Sequence, residues 1–323
     1  MSSNLLCRPL YSLDISGLLL NDKIHARLIK SISNLRIVKA RQFMKLGYNT
    51  NGLPHHRLLD AITFLAEEGY ESVAFTLDTG ALDPYEDADV LNDQIKRVRA
   101  ALERHHLSCV VETGARFLLN PRAKHDPTLM DPDPARRAIR VDFLCSAINI
   151  ASELNAGCVS FWSGILADPV TEEEAINRLA TALLPVIEHA EQRSMPLAFE
   201  PEPGMFIDTF ARFHELDSRI RHPLFDLTVD VGHVHCLEHG SIGSHLKHWG
   251  PRIRNVHLED MKRGVHEHLM FGEGTIDFDS VIDALRDVNY QGGLHVELSR
   301  HGHMAADAVR MAKAFLTPIL ARF

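Results

Sequence analysis

From Met44 onward one phrase recurs along the chain. A short run rich in β-branched and aromatic residues gives way to a turn, then to a longer stretch whose apolar positions return every three or four residues. The strand candidates are Met44–Asn49, Ser72–Leu77, Ser108–Glu112, Cys158–Trp162, Pro196–Glu200, Phe225–Asp230, Arg254–Leu258 and Leu294–Glu297. Amphipathic stretches lie between them at His56–Glu68, Asn92–His105, Ala135–Leu154, Glu172–Arg193 and Ile276–Val288. A last one, Ala305–Leu316, stops just short of Pro318. Strands alternating with helices of this length predict a parallel sheet. An open doubly wound sheet and a closed barrel both satisfy the alternation. Eight units in about 280 residues favour the barrel, and no glycine-rich phosphate loop follows the first strand. The fold class is therefore α/β, with residues 44–323 as a single (β/α)8 TIM barrel.

Residues 1–43 do not share this register. The patch Ser16–Leu20 is too short for a secretory signal, and no sustained apolar stretch surrounds it. The segment is basic, contains serine and is poor in acid, a composition with a weak likeness to organellar transit peptides. The reading adopted is a disordered basic extension outside the fold, with Met44 opening the functional part.

Composition narrows the function. The net charge of −9 hides an asymmetry: residues 1–43 carry seven Lys/Arg against two Asp/Glu, and the rest carries 27 against 41. So acidic a body is a poor match for a nucleic-acid backbone and suits a small neutral or metal-assisted ligand. The longest apolar stretches fall short of a bilayer span, so no membrane partner is expected. Cys7, Cys109, Cys145, Cys158 and Cys236 are scattered, odd in number and never spaced as CxxC. They read as reduced thiols of a cytoplasmic protein, and a homo-oligomer is compatible with all of this.

In a parallel barrel, chemistry gathers at the C-terminal strand ends. The last four strands end in Glu200, Asp230, His257 (within the final residues of "NVHLED") and Glu297. Solvated surface charge is the plain alternative. Adjacent strands lie about 4.8 Å apart, however, so three unpaired carboxylates there would crowd and repel one another. A bound divalent cation removes that conflict. The oxygen-rich, single-nitrogen donor set suits one Mn²⁺, with Mg²⁺, Co²⁺ or Zn²⁺ as alternatives.

At this point the chain resembles the xylose-isomerase-like TIM-barrel superfamily, which holds sugar isomerases and epimerases, inosose dehydratases and apurinic endonucleases. The matching phrases are "FEPEPG" (Phe199–Gly204), "DVGH" (Asp230–His233), "VHLED" (Val256–Asp260), "FGEGTIDF" (Phe271–Phe278) and "GLHVELS" (Gly293–Ser299). They keep the family's order, and the likeness runs from Met44 to Phe323. The resemblance implies the same metal set, Glu200, Asp230, His257 and Glu297. It also implies that Glu200 and Glu297 act as a catalytic base and acid pair on either side of a reacting carbon. In the endonuclease branch the second and third strands end in histidine. Here they end in "FTLD" (Asp78) and "VVET" (Glu112), which speaks against DNA repair.

The resemblance thus implies a metal-dependent isomerase or epimerase of a sugar or related polyol, working through an enediolate. The alternatives are an inosose-dehydratase-like lyase and a non-catalytic sugar-binding barrel. Candidate substrate contacts are Glu202, His233, His266, His268 and Glu112, with Trp162 and Phe206 as apolar walls. Tyr48, Phe75 and Phe161 also fall at strand ends, where core packing is the default for the two phenylalanines. Asp260 is read as orienting a neighbour and Glu273 as shaping its Gly-flanked turn. His266 and His268, in the loop after the seventh strand, could join His233 in a three-nitrogen zinc site. Contact with substrate hydroxyls is the reading adopted, with one metal per chain.

Overall fold

Eight parallel strands close into a barrel in the computed structural model, which describes residues 44–322. The expectation for residues 1–43 lies outside the described residues. In chain order the barrel strands are β1 (Lys45–Asn49), β2 (Ser72–Thr76), β3 (Ser108–Glu112), β4 (Val159–Phe161), β5 (Leu197–Phe199), β6 (Phe225–Asp230), β7 (Ile253–Leu258) and β10 (Gly293–Val296). Each pairs in parallel with its sequence neighbour in the barrel, and β10 returns to β1 to close it. Between β7 and β10 the chain adds an antiparallel hairpin, β8 (Asp260–Lys262) with β9 (Val265–Leu269).

The outer helices are α1 (Leu58–Glu67), α2 (Ala88–His105), α3 (Pro134–Glu153), α4 (Glu172–Arg193), α5 (Phe210–Ile220), α6 (Val231–Leu237), α7 (Ile242–Trp249), α8 (Phe278–Asp287) and α9 (Ala305–Leu320). Their starts are written in the sequence. Thr171 Oγ1 accepts the Glu174 N–H at 3.2 Å, ahead of three glutamates in the first turn of α4. Asp133 caps α3 and is followed by Pro134 at the first helical position. The last helix runs through Pro318 to Leu320, past the expected stop.

Burial follows the predicted periodicities. Strands β2, β4, β5, β6 and β10 are buried at every residue, as parallel strands covered on both faces should be. An aromatic cluster ties the barrel to its jacket: the Phe199 ring lies tilted 5.8 Å from Phe225 and 5.9 Å from Phe213 of α5, which meets Trp249 of α7 edge-on at 5.5 Å. Contacts of this kind add about 0.5–1.5 kcal/mol each beyond area burial.

Candidate metal centre and cavity

Four adjacent strands, in the barrel order β5, β6, β7 and β10, deliver Glu200, Asp230, His257 and Glu297 to one point. One ligand atom from each residue lies within 4.8 Å of all the others. The register explains the convergence: Asp230 of β6 pairs directly with His257 of β7. Glu200 follows β5 and is anchored by its N–H to Phe161 O at 2.8 Å, while Glu297 follows β10 with its N–H on Leu258 O at 2.9 Å.

Asp230, Glu297 and His257 each have a hydrogen-bond partner outside the set. Asp230 Oδ1 accepts the His233 N–H at 2.8 Å as the N-cap of α6, which leaves its buried Oδ2 without a hydrogen-bond partner. Asn51 Nδ2 donates to Glu297 Oε1 at 2.7 Å. His257 Nε2 lies 2.9 Å from Glu112 Oε1, and its Nδ1 lies 2.9 Å from Glu297 Oε2 and 3.1 Å from Glu200 Oε1. With Nε2–H committed to Glu112, Nδ1 is the nitrogen that faces the three carboxylates, where its lone pair is available to a cation and, without one, takes a proton shared with Glu297 and Glu200. A divalent cation satisfies all four groups, and a carboxylate on the far nitrogen is the usual support for a ligating imidazole. The residues fit the ion.

Electrostatics sharpen the point. Burial pushes Glu200 up to about 8. Burial acts the same way on Glu297, but the His257 imidazole outweighs it and holds that carboxyl below its ordinary range. For His257 itself, burial would favour the neutral ring, yet Glu112, Glu200 and Glu297 together push it well above the usual value.

The centre opens into a cavity of about 410 Å³. Of the expected substrate contacts, Glu112, Trp162, Glu202, His233, His266 and His268 line it. Phe206 does not: it is buried against the Arg212 guanidinium, 5.7 Å from the ring centre, because the turn after Glu202 folds it back onto the core. Glu112 serves His257 first, so its carboxylate is a support for the histidine as well as part of the lining. His266 and His268 sit on β9, not in a loop; their alternation with Glu267 points both to the cavity. His266 Nε2 is 3.1 Å from His233 Nε2. Burial pushes His233 down to about 4. Phe75 and Phe161 are core residues, 1% and 2% exposed. Asp260 accepts N–H groups of Gly272, Gly274 and Ile276, pinning the "FGEG" turn; Glu273 in that turn faces solvent.

Several contributors escaped the sequence reading. Glu259 is fully buried beside the centre with neither carboxylate oxygen in a hydrogen bond, His268 Nδ1 lying 3.9 Å from Oε2, and it groups with Asp230, His268 and Glu297. Its only signal was its place in "VHLED". Asn51, Arg116, Lys124, His125 and Arg300 also line the cavity, from loops with no distinctive motif.

A family model matches residues 62–318, nearly the whole barrel. The chain belongs to the xylose isomerase-like TIM barrel family. Among sequence relatives, an L-ribulose-5-phosphate 3-epimerase of Escherichia coli K12 is 23% identical over 213 residues, covering 65% of this chain and 75% of its own length. Among solved structures sharing the fold, the IolI protein with a bound zinc atom superposes with a TM-score of 0.69 at 18% identity, covering 87% of this chain and 99% of that one. A D-allulose 3-epimerase from a Methylomonas species, in complex with D-allulose, gives 0.67 at 17% identity over 85% and 97%. No helix among the described residues is long and apolar enough to cross a membrane.

Proposed function

We propose that this family member is a divalent-metal-dependent epimerase or isomerase acting on a sugar or related polyol. The observation that carries the reading is the convergence of Glu200, Asp230, His257 and Glu297 within 4.8 Å at the floor of a polar cavity. Glu200 and Glu297 occupy the outer two of the four strands, so they flank the centre from two sides. One carboxylate takes the proton from carbon beside the substrate carbonyl, and the C–H electron pair becomes the double bond of an enediolate. The other carboxyl returns a proton to the opposite face, or to the neighbouring carbon in an isomerisation. A divalent ion held by the four residues supplies Lewis-acid stabilisation of the oxygen charge that builds during this transfer, and Mn²⁺ suits the donor set.

The rest of the cavity matches a hydroxyl-rich ligand. Asn51, Glu202, His233, His266 and His268 offer polar contacts, and Trp162 offers a flat apolar face. The relatives that are sugar epimerases, one of them solved with D-allulose, support the same class. Cys109, Cys145, Cys158 and Cys236 are all free thiols, which agrees with a cytoplasmic setting.

The test is solvent exchange. The Mn²⁺-loaded protein is incubated in D₂O with ketohexoses, ketopentoses and their 5-phosphates, the last because Arg116, Lys124 and Arg300 line the cavity. Deuterium entering at the carbon beside the carbonyl, together with the epimer or isomer, is the expected result. No exchange with any ketose overturns the reading. Enone absorbance on inososes instead points to the lyase.

A further inference from the structure

Beneath His257 the barrel interior is polar, at a level where aliphatic side chains usually fill it. Asn255, two residues before His257 on β7, is fully buried and faces the same way. Its Nδ2 donates to Glu112 Oε1 at 2.8 Å, the oxygen that also receives His257 Nε2–H, so that the two N–H groups, whose nitrogens are 3.0 Å apart, converge on one acceptor. Its Oδ1 lies 2.7 Å from His295 Nδ1, and His295 Nε2 lies 2.9 Å from Ser72 Oγ. Ser72, His295 and Asn255 thus connect β2 to the histidine of the centre through the buried interior.

The chain of bonds has one self-consistent direction. An ionised Glu112 only accepts, so the Asn255 amide must turn its NH₂ group toward it, and His257 must carry its proton on Nε2. The amide oxygen then faces His295, which must carry its own proton on Nδ1. His295 Nε2 is left as an acceptor, and the Ser72 hydroxyl, whose other acceptor is the more distant Ser108 carbonyl at 3.2 Å, supplies it at 2.9 Å. Reversing any link sets two lone pairs or two hydrogens against each other where no water can intervene.

The fold makes room for this arrangement at the expense of two side chains. A Cβ at Gly47 would lie 2.3 Å from the His295 ring, and one at Gly293 would lie 2.2 Å from it. A leucine in place of His295 would fill the level without any buried polar group, which packing alone would favour.

We propose that Ser72, His295 and Asn255 are positioning residues that hold His257 as its Nε2–H tautomer. His257 Nδ1 is thereby kept as a lone-pair donor toward Glu200, Asp230 and Glu297, and the centre's divalent-cation affinity is set from inside the barrel. The affinity part rests on the metal reading above. The proton position on His295 does not.

Both parts can be measured without turnover. Long-range ¹H–¹⁵N spectra of ¹⁵N-histidine protein, metal-free and Zn²⁺-loaded, report the proton on each ring, with His295→Leu assigning the His295 signals. His295 is expected as the Nδ1–H tautomer in both states; finding it as Nε2–H overturns the relay. Mn²⁺ and Zn²⁺ affinities follow from competition with a fluorescent chelator. Asn255→Leu and His295→Leu should weaken binding about 10–100-fold, the range for supports of a ligating histidine. Ser72→Ala, which removes one oxygen and should fold normally, should weaken it less. Melting curves identify any variant that does not fold, and Ser72→Ala with the wild-type spectra then decides the matter. Folded variants that bind metal like wild type overturn the proposal while leaving the metal reading intact. A wild-type protein that binds no divalent ion overturns the metal reading and, with it, the affinity part.

Discussion

His257 and Glu112 meet across the barrel interior, from β7 to β3, with Nε2 and Oε1 2.9 Å apart. The contact spans 145 residues of sequence and decides which nitrogen of His257 faces the carboxylates. Replacing Glu112 with leucine leaves Nε2–H unpaired in a buried site and frees the ring to turn or change tautomer. Divalent-metal affinity should fall about 10–100-fold, with Glu112→Gln intermediate because its amide oxygen can still accept. Equilibrium competition with a chelator reads this directly, and an unchanged Kd in Glu112→Leu would remove Glu112 from the support of the centre.

Glu297→Gln tests the proton-transfer pair. The glutamine keeps the side-chain shape and the oxygen that accepts from Asn51, but loses the basicity and the charge beside His257. Turnover should drop by about 10²–10⁴ or more, the usual contribution of a positioned acid or base. Sugar affinity, measured calorimetrically, should stay within about tenfold, because the remaining polar lining is untouched. Near-normal turnover would sink the role assigned to Glu297.

Much of this was legible because its causes are local. Strand runs bounded by turns gave all eight barrel strands to within one or two residues, and a carboxylate or imidazole at four strand ends gave the four side chains that converge. The hairpin β8–β9 was not legible: Asp260–Lys262 is only three residues long, and Val265–Leu269 mixes histidine and glutamate at half-exposed positions. Helices α6 and α7 are seven and eight residues long, about two turns each, too short to stand out in a histidine- and glycine-rich stretch. Asn255 and Glu259 are polar residues inside or just after a strand, and one sequence does not say what they meet across the barrel. Phe206 was misplaced for the converse reason. Its distance from Glu200 along the chain is short, but Glu202 N–H bonds Ile207 O and turns the ring toward the core.

Chelation should unload the centre and loosen the fold together. The carboxyl groups of Glu200, Asp230 and Glu297 then face one another around His257 with no cation between them. Exhaustive EDTA treatment should abolish activity, and Mn²⁺ or Co²⁺ should restore it. A ligand present at about 100 times its Kd stabilises by about 2.7 kcal/mol, so the thermal midpoint should fall by several degrees on chelation. Activity indifferent to complete metal removal would take the ion out of the chemistry.

All eight barrel strands lie between Lys45 and Val296, and β1 pairs with β10 over Lys45–Tyr48. A chain that starts at Met44 should therefore melt within about 2 °C of the full one, less than the shift expected for the loss of 1 kcal/mol. Its kcat should be unchanged. Calorimetry and steady-state kinetics on the shortened chain check this, and a collapse of solubility would show that the first 43 residues support the barrel.

The histidine triad beside the centre is the last test. His233, His266 and His268 bring one nitrogen each within 4.8 Å of one another, a donor set that zinc accepts. The same three rings line the cavity, and His268 Nδ1 lies 3.3 Å from Glu297 O, close to where a substrate hydroxyl would meet the proton-transfer pair. The strands that would feed further ions offer none of the needed imidazoles. Asp78, after β2, is engaged with Arg116 at 3.8 Å, and Glu112 of β3 is committed to His257. One metal per chain is the expected stoichiometry by elemental analysis. His268→Ala should raise KM by about tenfold, the worth of one lost hydrogen bond to a polar ligand, while metal content stays at one. Two metals in the wild type, falling to one in His268→Ala, would instead make the triad a second metal site.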